Sequence, residues 1–303
     1  MNKIYCIGEA LIDFIPKQQN TMLLLVPEFE RVVGGAPCNC AISIGRIGGN
    51  VAFIGMVGND PFGQLIYNTL KISNVDVENL ITTKKANTAL AFVTECDEDR
   101  DFLFYRNPYS ADMLLSEADI NVKMFEENSI LHFCSVDLID APVKNAHRKA
   151  LDCVNRVNGI ASFDINLRPM LWDSETKSRA TILEFLKYAD VIKVSYDEGV
   201  FVFGNDDPGK WAETCFRAGA KVMFLTKGAN GCAVYKKEFY HEIPSLKVRV
   251  VDTLGAGDAF SGGYLKKLQE SESFEQFLNE GYLISTLEYA NELGAMAVQR
   301  KGV

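Results

Sequence analysis

Short runs of apolar, largely β-branched residues recur along the chain, and longer segments with a helical spacing of apolar positions separate them. Six runs predict buried strands, at residues 4–7, 51–54, 129–133, 160–163, 191–194 and 222–225. Residues 141–157 and 181–189 have the spacing of helices that bury one face. Strands that are apolar on both faces and alternate with helices are typical of a mainly parallel sheet covered on both sides. The pattern therefore predicts a three-layer α/β/α fold with ligands at the carboxyl ends of its strands.

Two segments interrupt this alternation. Residues 14–33 are short and irregular, with 23–26 as a further strand, and residues 89–106 predict two strands joined by the charged turn 96–101. Together they predict a small antiparallel sheet beside the main one, which is either a lid that excludes water from a site or purely structural. No linker, low-complexity tract or internal repeat divides the sequence. We therefore expect a single domain, residues 1–303, with the lid segments inserted in it.

The composition limits the classes of partner. With 48% hydrophobic and 23% charged residues in a length of 303, the chain fits a soluble globular protein with a substantial core. A net charge of −9 argues against a nucleic-acid partner, because phosphate backbones are bound by Lys and Arg surfaces. The sequence shows no secretion signal and no apolar run long enough to span a membrane, so we expect a cytoplasmic protein without a membrane partner.

Eight cysteines are scattered along the chain without a CxxC pair, and several lie in apolar runs. Reduced core cysteines of an intracellular protein explain this pattern best. A zinc site is the weaker alternative, because the three histidines lie far apart in the sequence.

The strongest chemical signal is a glycine-rich turn, residues 252–258, between a predicted strand, 248–251, and a predicted helix, 259–268. Such a turn presents unpaired backbone N–H groups, and the helix dipole adds about half a positive charge. The small side chains at 255–257 let phosphate oxygens approach the main chain closely. An acidic protein can bind a phosphate group in this way.

Asp258 stands at the start of that helix, where a carboxylate is either a plain N-terminal cap or a functional group. Beside an anion site it can take a proton from a substrate hydroxyl while the N–H groups neutralise charge on a phosphoryl group. A carboxylate pKa lowered by the dipole would make a weak base, so positioning must supply much of the effect. Motifs of competing nucleotide folds are missing: there is no GxxxxGKS or GxxxxGKT, no GxGxxG after the first strand, and no HRD or DFG element.

Two long motifs resemble the signatures of one enzyme family. Residues 34–41 through 58–63 resemble the N-terminal signature of the ribokinase-like (PfkB) carbohydrate kinases, and residues 252–260 resemble the C-terminal one. The two motifs stand in the family's order and span nearly the whole chain. The resemblance is therefore far more specific than a lone glycine-rich loop.

Within that family, residues 104–108 followed by 110–115 are similar to bacterial and plant fructokinases, with Tyr109 as an extra residue. Residues 8–13 and 164–169 also fit that subgroup. The resemblance implies a ribokinase-like fold with a small β-sheet lid. It further implies Mg²⁺-dependent transfer of the γ-phosphoryl group of ATP to a primary hydroxyl of a sugar. The favoured reaction is the conversion of fructose to fructose 6-phosphate.

The resemblance also implies roles for individual residues. Those implied in catalysis are Asp258 as the base, Gly255, Ala256 and Gly257 as the phosphoryl site, and Arg168. Those implied to bind the sugar are Asp13, Gly34, Gly35, Asn39, Phe104 and Arg106. The residue chemistry fits, because an ionised Asp13 at the end of a strand accepts from two hydroxyls and the Arg168 guanidinium suits phosphate. The residues alone leave alternatives open. Asp13 is alternatively a residue of a surface turn, Asn39 a solvated residue at the start of a helix, and Arg168 a member of a surface ion pair.

On the nucleotide side, the residues implied to bind ATP are Lys193, Ser195, Glu198, Thr226, Gly228, Gly231 and Asn291. Glu198 matches the Glu of the family's Asn-x-x-Glu element, which organises Mg²⁺ through water, while Ser195 replaces the Asn, as fructokinases tolerate. The glycines after Thr226 are alternatively those of an ordinary β-turn. A monovalent cation, potassium, is implied at Asp252, Leu254, Ala297, Arg300 and Gly302. Because the sequence stops earlier than the family usually does, the completeness of this cation loop stays open.

The acceptor sugar also stays open at this point. Ketodeoxygluconate kinases of the family use a Tyr-x-Arg lid contact, so Arg106 does not separate them from fructokinases; ribose and aminoimidazole riboside are further candidates. A catalytically silent sugar-binding protein is the non-enzyme alternative, and the intact glycine-rich turn with Asp258 argues against it. A nicotinamide dehydrogenase is disfavoured by the missing dinucleotide motif. The exposed lid sheet further suggests a homodimer.

Overall fold

The computed structural model describes residues 2–18, 20–96, 99–106 and 109–300. Its strands are β1 Ile4–Ile7, β2 Leu11–Pro16, β3 Phe29–Gly34, β4 Val51–Gly58, β5 Val75–Asp76, β6 Leu80–Thr83, β7 Ala89–Cys96, β8 Asp99–Tyr105, β9 Ile130–Cys134, β10 Ile160–Asp164, β11 Val191–Ser195, β12 Val222–Thr226, β13 Cys232–Lys236 and β14 Phe239–Ile243. Its α-helices are α1 Ala36–Arg46, α2 Pro61–Ile72, α3 Pro142–Arg156, α4 Glu175–Phe185, α5 Tyr196–Phe203, α6 Pro208–Ala218, α7 Ala256–Glu270, α8 Phe274–Phe277 and α9 Glu280–Ala297.

The main sheet has the strand order β14-β13-β12-β11-β10-β9-β1-β4-β5, with β6 paired to the far end of β4. Its pairs from β12 through β5 are parallel, while β12–β13 and β13–β14 are antiparallel. All six strands predicted from apolar runs lie in this sheet, which confirms the mainly parallel fold. They appear as continuous apolar runs because their residues are buried on both faces.

Helices cover both faces of the main sheet. On one face, α1, α2, α7 and α9 pack against strand side chains such as Ile4 and Phe53. On the other face, α3, α4, α5 and α6 pack against Tyr5 and Phe133. Successive residues of a strand point to opposite faces, so each short apolar run contributes to two cores at once. The three layers leave the carboxyl ends of the parallel strands accessible at one edge.

A separate four-stranded sheet lies beside the main one, in the order β3-β2-β7-β8; we call it the lid sheet. The prediction of two strands within 89–106 is confirmed, although positions 97 and 98 of their turn lie outside the described residues. The expectation of a wholly antiparallel sheet is wrong, because β2 and β7 pair in parallel. These strands follow β1 and β6, which both belong to parallel pairs with β4, and so they leave the main sheet in the same direction.

Two predicted strands are wrong. Residues 23–26 contain the 3₁₀ turn Leu23–Leu25, whose Leu24 and Leu25 side chains are exposed. Residues 248–251 pair with no strand of the described ranges; instead, the N–H of Val251 donates to the carbonyl of Val298 at the end of α9. Both segments have strand-like composition, but a strand needs a neighbouring strand for its backbone hydrogen bonds, and neither segment pairs with one among the described residues.

The cysteine prediction is confirmed for the described thiols. Seven cysteines are free and buried, and they lie in the hydrophobic interior. A separate observation concerns membranes. No helix within the described ranges is both long and apolar enough to cross a bilayer.

Candidate active site

A cavity of about 400 Å³, which we call the central cavity, opens at the carboxyl ends of the main-sheet strands. The lid sheet contributes Asp13 and Phe104 to its wall, and the start of α7 contributes Gly255, Gly257 and Asp258. The loops and helices that follow β1, β3, β10 and β11 supply Glu9, Asn39, Asn166, Arg168 and Glu198. Lys193, within β11, and Thr253, in the turn before α7, are the other polar lining residues. The position agrees with the sequence-based expectation that ligands bind at this edge.

The glycine-rich turn begins α7 earlier than predicted, at Ala256 instead of residue 259. Gly255 precedes the helix with φ +78°, a left-handed conformation that glycine adopts without strain. At Gly257, a Cβ would lie 3.1 Å from the Nζ of Lys193, so the small residue lets a buried cation approach the turn. The first N–H groups of the helix therefore lie beside a lysine ammonium group, and both favour a bound anion.

Asp258 is 7% exposed, and both of its carboxylate oxygens accept hydrogen bonds from other elements. The Nδ2 of Asn39, in α1, donates to Oδ2 at 2.9 Å, and the Nδ2 of Asn166 donates to Oδ1 at 3.2 Å. A carboxylate that only capped α7 would accept from the backbone of its own first turn, and α7 has no such side-chain cap. The contacts instead fix the orientation of Asp258 toward the central cavity.

The pKa of Asp258 is raised to about 6, mainly because burial disfavours the charged form. The hydrogen bond from Asn39 opposes this shift, as do the charges of Arg168 and Lys193, while Asp164 adds to it. This result corrects the expectation of a pKa lowered by the helix dipole. A carboxylate with this pKa is ionised at pH 7 and is a stronger base than an ordinary aspartate.

Lys193, near the end of β11, is buried against Asp164, with 3.0 Å between Nζ and Oδ1. The hydroxyl of Ser261, in α7, donates to the other oxygen of Asp164 at 3.2 Å. Burial opposes the charge of Lys193, but Asp164, followed by Glu198, holds its pKa above the ordinary lysine value. The site thus contains a permanent positive charge next to the turn at Gly257.

Asp13 lies within β2 and not at the end of a strand as predicted, so the lid sheet supplies it. It is buried, and its pKa is raised to about 7, first by desolvation and then by the charge of Glu9. Gly34, at the end of the neighbouring strand β3, gives it room, because a Cβ at position 34 would overlap Oδ2 of Asp13. At Gly35, which has φ +99°, a Cβ would lie 2.6 Å from the carbonyl of Glu9. These two glycines therefore shape the wall that holds Asp13.

Glu198 connects two loops at the rim of the central cavity. Its Oε2 accepts from the N–H of Ser195, the N-cap of α5, at 2.8 Å, and its Oε1 accepts from the N–H of Leu167 at 2.9 Å. Ser195 completes a capping box with Glu198, which explains why serine serves here in place of asparagine. Carboxylate oxygens with remaining lone pairs suit the waters of a Mg²⁺ ion, so the donor set fits that ion.

The other residues implied to bind nucleotide lie farther along the same edge. Thr226 ends β12 beside Ser195 of β11, and Gly228 and Gly231 bound the 3₁₀ turn that follows. A Cβ at Gly231 would overlap the carbonyl of Ile243, so close packing alone requires glycine at this position, whether or not it binds nucleotide. Asn291, in α9, donates its amide to the carbonyl of Pro244 at 3.0 Å. None of these four residues lines the central cavity. Of the residues implied to bind nucleotide, only Lys193 and Glu198 line it.

The residues implied to hold a monovalent cation come together at the corner between α7 and α9. The N–H groups of Val251 and Asp252 both donate to the carbonyl of Val298, at 2.7 and 3.2 Å, which brings the turn next to Ala297. Asp252 Oδ1 accepts from the N–H of Leu254 at 2.9 Å. Arg300 follows in the same turn, and Gly302 lies outside the described residues. Backbone carbonyls and a carboxylate are suitable donors for a hard cation.

Arg106 is buried at 3% exposure among three carboxylates. Its Nη2 donates to Asp112 and, at 2.7 Å, to Asp137, while its Nη1 forms an ion pair with Glu9 at 3.1 Å. The oxygens of these carboxylates lie within 4.8 Å of one another, a spacing that would suit a metal, but Arg106 supplies the positive charge. Its side chain lines a second cavity of about 660 Å³ instead of the central one, and Phe104 lines both. Asn107 and Pro108, the next residues of the predicted lid motif, lie outside the described residues.

Comparison with known proteins gives the family. The chain matches the family described as pfkB family carbohydrate kinase over residues 1–303. It is 42% identical over 302 residues to a probable fructokinase-6, chloroplastic, of Arabidopsis thaliana, covering 99% of this chain and 78% of that protein. The chain belongs to the PfkB family of carbohydrate kinases.

Solved structures of a fructokinase and of an aminoimidazole riboside kinase have the same fold. A fructokinase double mutant from Vibrio cholerae O395, solved with fructose, ADP and potassium, superposes with a TM-score of 0.90 at 32% identity, over 100% of this chain and 94% of that one. An aminoimidazole riboside kinase from Salmonella enterica, solved with its riboside and an ATP analogue, gives 0.87 at 28% identity, over 99% and 94%. This PfkB chain is accordingly an ATP-dependent carbohydrate kinase with a ribokinase-like fold.

Asn166 and Glu9 of this PfkB chain also line the central cavity, although the sequence motifs imply no role for either residue. Asn166 lies two residues beyond β10, and Glu9 lies two residues beyond β1. The signal that could have found them is a polar residue directly after a strand that is buried on both faces, at the edge where ligands bind.

Proposed function

We propose that this chain is a fructokinase that transfers the γ-phosphoryl group of Mg²⁺-bound ATP to the primary hydroxyl of D-fructose, which yields fructose 6-phosphate. The observation that carries the proposal is the buried carboxylate of Asp258, with a pKa of about 6, at the N-terminus of α7. The similarity to fructokinases, at 42% identity and a TM-score of 0.90 in the comparisons above, supports fructose as the acceptor. We further propose that residues 1–303 act as one kinase domain, in which the lid sheet closes over the sugar.

In the proposed reaction, Asp258 takes the proton of the attacking hydroxyl as that oxygen bonds to the γ-phosphorus and the bond to ADP breaks. The N–H groups at 255–258 and the guanidinium of Arg168 receive the negative charge of the transferring group. Lys193 adds a fixed positive charge beside Gly257. Positioning and charge neutralisation of this kind account for most of the acceleration of a phosphoryl transfer.

The sugar is proposed to lie between the lid sheet and the start of α1. Asp13 and Asn39 offer acceptors and donors to its hydroxyls, and Gly34 and Gly35 keep the wall close. The aromatic ring of Phe104 covers the cavity from β8. Exclusion of water by this lid prevents water from acting as the phosphoryl acceptor in place of the sugar.

Two metal ions belong to the proposal. Mg²⁺ neutralises the phosphates of ATP when it is bound, and Glu198 would hold it through its waters. Potassium would bind at the corner formed by Asp252, Leu254 and the end of α9, where it would support the turn that begins α7. The potassium in the similar fructokinase structure supports this choice of ion.

The substrate proposal is tested by measuring ADP release, in a coupled assay, with fructose, ketodeoxygluconate, ribose and aminoimidazole riboside in turn. Fructose is expected to give the highest kcat/KM. A higher kcat/KM with another sugar would contradict the fructokinase assignment while leaving the kinase family intact. Fructose binding without ADP release from any of the four sugars would instead indicate a sugar-binding protein without catalysis.

The variant Gly34→Ala is expected to raise KM for fructose at least about tenfold, because the new Cβ displaces the carboxylate of Asp13. The KM for ATP should change less than about threefold, since the nucleotide residues lie on the other side of the site. Gly281→Ala is the matched control: its Cβ would meet Asn279 at an ordinary 3.4 Å. Steady-state kinetics of both variants check this expectation. An unchanged fructose KM in G34A would show that Asp13 does not bind the sugar.

A homodimer through the lid sheet is also proposed. Leu103 and Tyr105 are 45% and 60% exposed on β8, the edge strand of that sheet, and Leu24 and Leu25 are exposed on its connecting segment. Exposed apolar side chains on an edge strand favour association. Sedimentation of the wild type should show a dimer and that of Leu103→Asp a monomer; a monomeric wild type would end this part of the proposal.

The cytoplasm is the proposed location of the enzyme. The seven free, buried cysteines are consistent with a reducing compartment. Microscopy of the tagged protein in its own cells tests this location, and a signal confined to an organelle would contradict it.

A further inference from the structure

Asn166 makes a contact with Asp258 that the proposed function does not use. It is 5% exposed, its Nδ2 donates to Asp258 Oδ1 at 3.2 Å, and it lines the central cavity. Its own amide oxygen is buried and accepts no hydrogen bond from the described part of the chain. A buried acceptor without a partner is costly, so a group at this position that binds in the cavity is expected to donate to it.

The contact is mirrored on the other side of the carboxylate. Asn39 donates to Asp258 Oδ2 at 2.9 Å, is also 5% exposed, and likewise has a buried amide oxygen without a partner among the described residues. One amide therefore holds each oxygen of Asp258. Two donors in this arrangement fix the plane of the carboxylate, and they also stabilise its ionised form.

The backbone around Asn166 is built to place this side chain. Asn166 has φ +39°, in the left-handed region that asparagine tolerates better than most residues. The residues on both sides are held: the N–H of Ile165 donates to the carbonyl of Lys193, and the N–H of Leu167 donates to Glu198, both at 2.9 Å. An unusual conformation that neighbouring elements enforce is typical of functional sites.

We propose that Asn166 is a positioning residue for phosphoryl transfer: its amide N–H aims the carboxylate of Asp258 at the acceptor hydroxyl, and its amide oxygen accepts from a second hydroxyl of the sugar. The ligand class is a polyol with two hydroxyls close enough to reach Asp258 and Asn166 together. This inference rests on the proposed role of Asp258 as the base. It adds a residue that couples recognition of the sugar to the orientation of that base.

Burial is the largest cause of the raised pKa of Asp258, and several charged groups that face this carboxylate modify that pKa. Asp164 in β10 raises its pKa, whereas Arg168 after β10 and Lys193 in β11 lower it, and Asp13 approaches from the lid sheet. A further carboxylate at position 166 would lie closer than any of these, directly on Oδ1. Two carboxylates at hydrogen-bond distance cannot both ionise easily, so the second ionisation of the pair, which leaves Asp258 charged beside a charged neighbour, moves to higher pH.

The test uses Asn166→Asp and Asn166→Gly, with Asn158→Asp as the matched control. Asn158 is exposed and also has a left-handed backbone, with φ +52°, at the end of α3. In N166D the acid limb of kcat/KM for fructose should move up by at least about one pH unit, from about 6 to about 7 or above. The ratio of kcat/KM at pH 9 to that at pH 6 should then rise at least about fivefold, from about 2 to about 11. In N166G, which keeps the backbone conformation, KM for fructose should rise about tenfold with a smaller shift of the limb. N158D should match the wild type.

A second measurement separates this inference from the proposed function. Titration of the Asp258 carboxyl by ¹³C NMR without sugar, assigned with the D258N variant, should show a pKa at least about one unit higher in N166D than in the wild type. This shift is expected even if fructose is not the acceptor, whereas the kinetic effects require it. Wild-type pH profiles and fructose KM in both Asn166 variants would overturn the proposal, as would an Asp258 pKa that does not move.

Discussion

Replacement of Asp258 by asparagine is expected to lower kcat for fructose at least about 10²-fold and to leave fructose binding nearly intact. General-base catalysis contributes about 10²–10⁴-fold, and an amide cannot accept the hydroxyl proton. The side chain keeps its size, so one oxygen remains to accept from an asparagine. Turnover by the coupled ADP assay and fructose binding by calorimetry together distinguish loss of the base from loss of the site.

A matched substitution tests the simpler explanation, in which Asp258 only stabilises its helix. Asp207 is a true N-cap: its side chain accepts from the N–H groups of Gly209 and Lys210 at the start of α6. Asp207→Asn is expected to keep full activity with a small change in stability, because asparagine also caps helices well. If D258N behaves in the same way, Asp258 has no role in the chemistry.

Replacement of Arg106 by methionine is expected to reduce the free energy of unfolding at pH 8 by at least about 3 kcal/mol. The change removes the cation that neutralises Glu9, Asp112 and Asp137, all buried. An isolated buried carboxylate is far less stable than a paired one, and here three lose their partner together. Urea unfolding measures the loss. Arg148→Met, which breaks an exposed pair with Glu184 at 2.8 Å, should cost less than about 1 kcal/mol.

The decrease in the free energy of unfolding caused by Arg106→Met should be smaller at low pH. Burial, the largest cause, raises the pKa of Glu9 to about 7 and that of Asp137 to about 6 even with Arg106 present. In the window between their ordinary values and these pKa values, the folded chain binds more protons than the unfolded chain, so these groups make stability fall as the pH rises. Removal of Arg106 strengthens this trend. A loss in R106M that is as large at pH 5.5 as at pH 8 would show that packing, and not charge, explains it.

The apolar runs along the chain predicted the main sheet correctly because its strands are buried on both faces, which leaves a mark in each strand's own residues. The turn at Gly255 and Gly257 is also recognisable from its own residues, because a left-handed backbone and a close approach of neighbouring atoms both require glycine locally. The strand predicted at residues 248–251 was wrong because its partner is the end of α9, which no local pattern shows.

The sequence by itself determined the layered fold, the glycine-rich turn and the presence of Asp258 at its helix. Only the tertiary structure decided what surrounds that carboxylate: Asn39 and Asn166 come from elements distant along the chain, and burial raises a pKa that the helix dipole alone would lower. It also decided that Arg106 neutralises three carboxylates. The physical reason is that propensity and backbone geometry act between neighbouring residues, whereas desolvation and charge pairing depend on which distant segments meet.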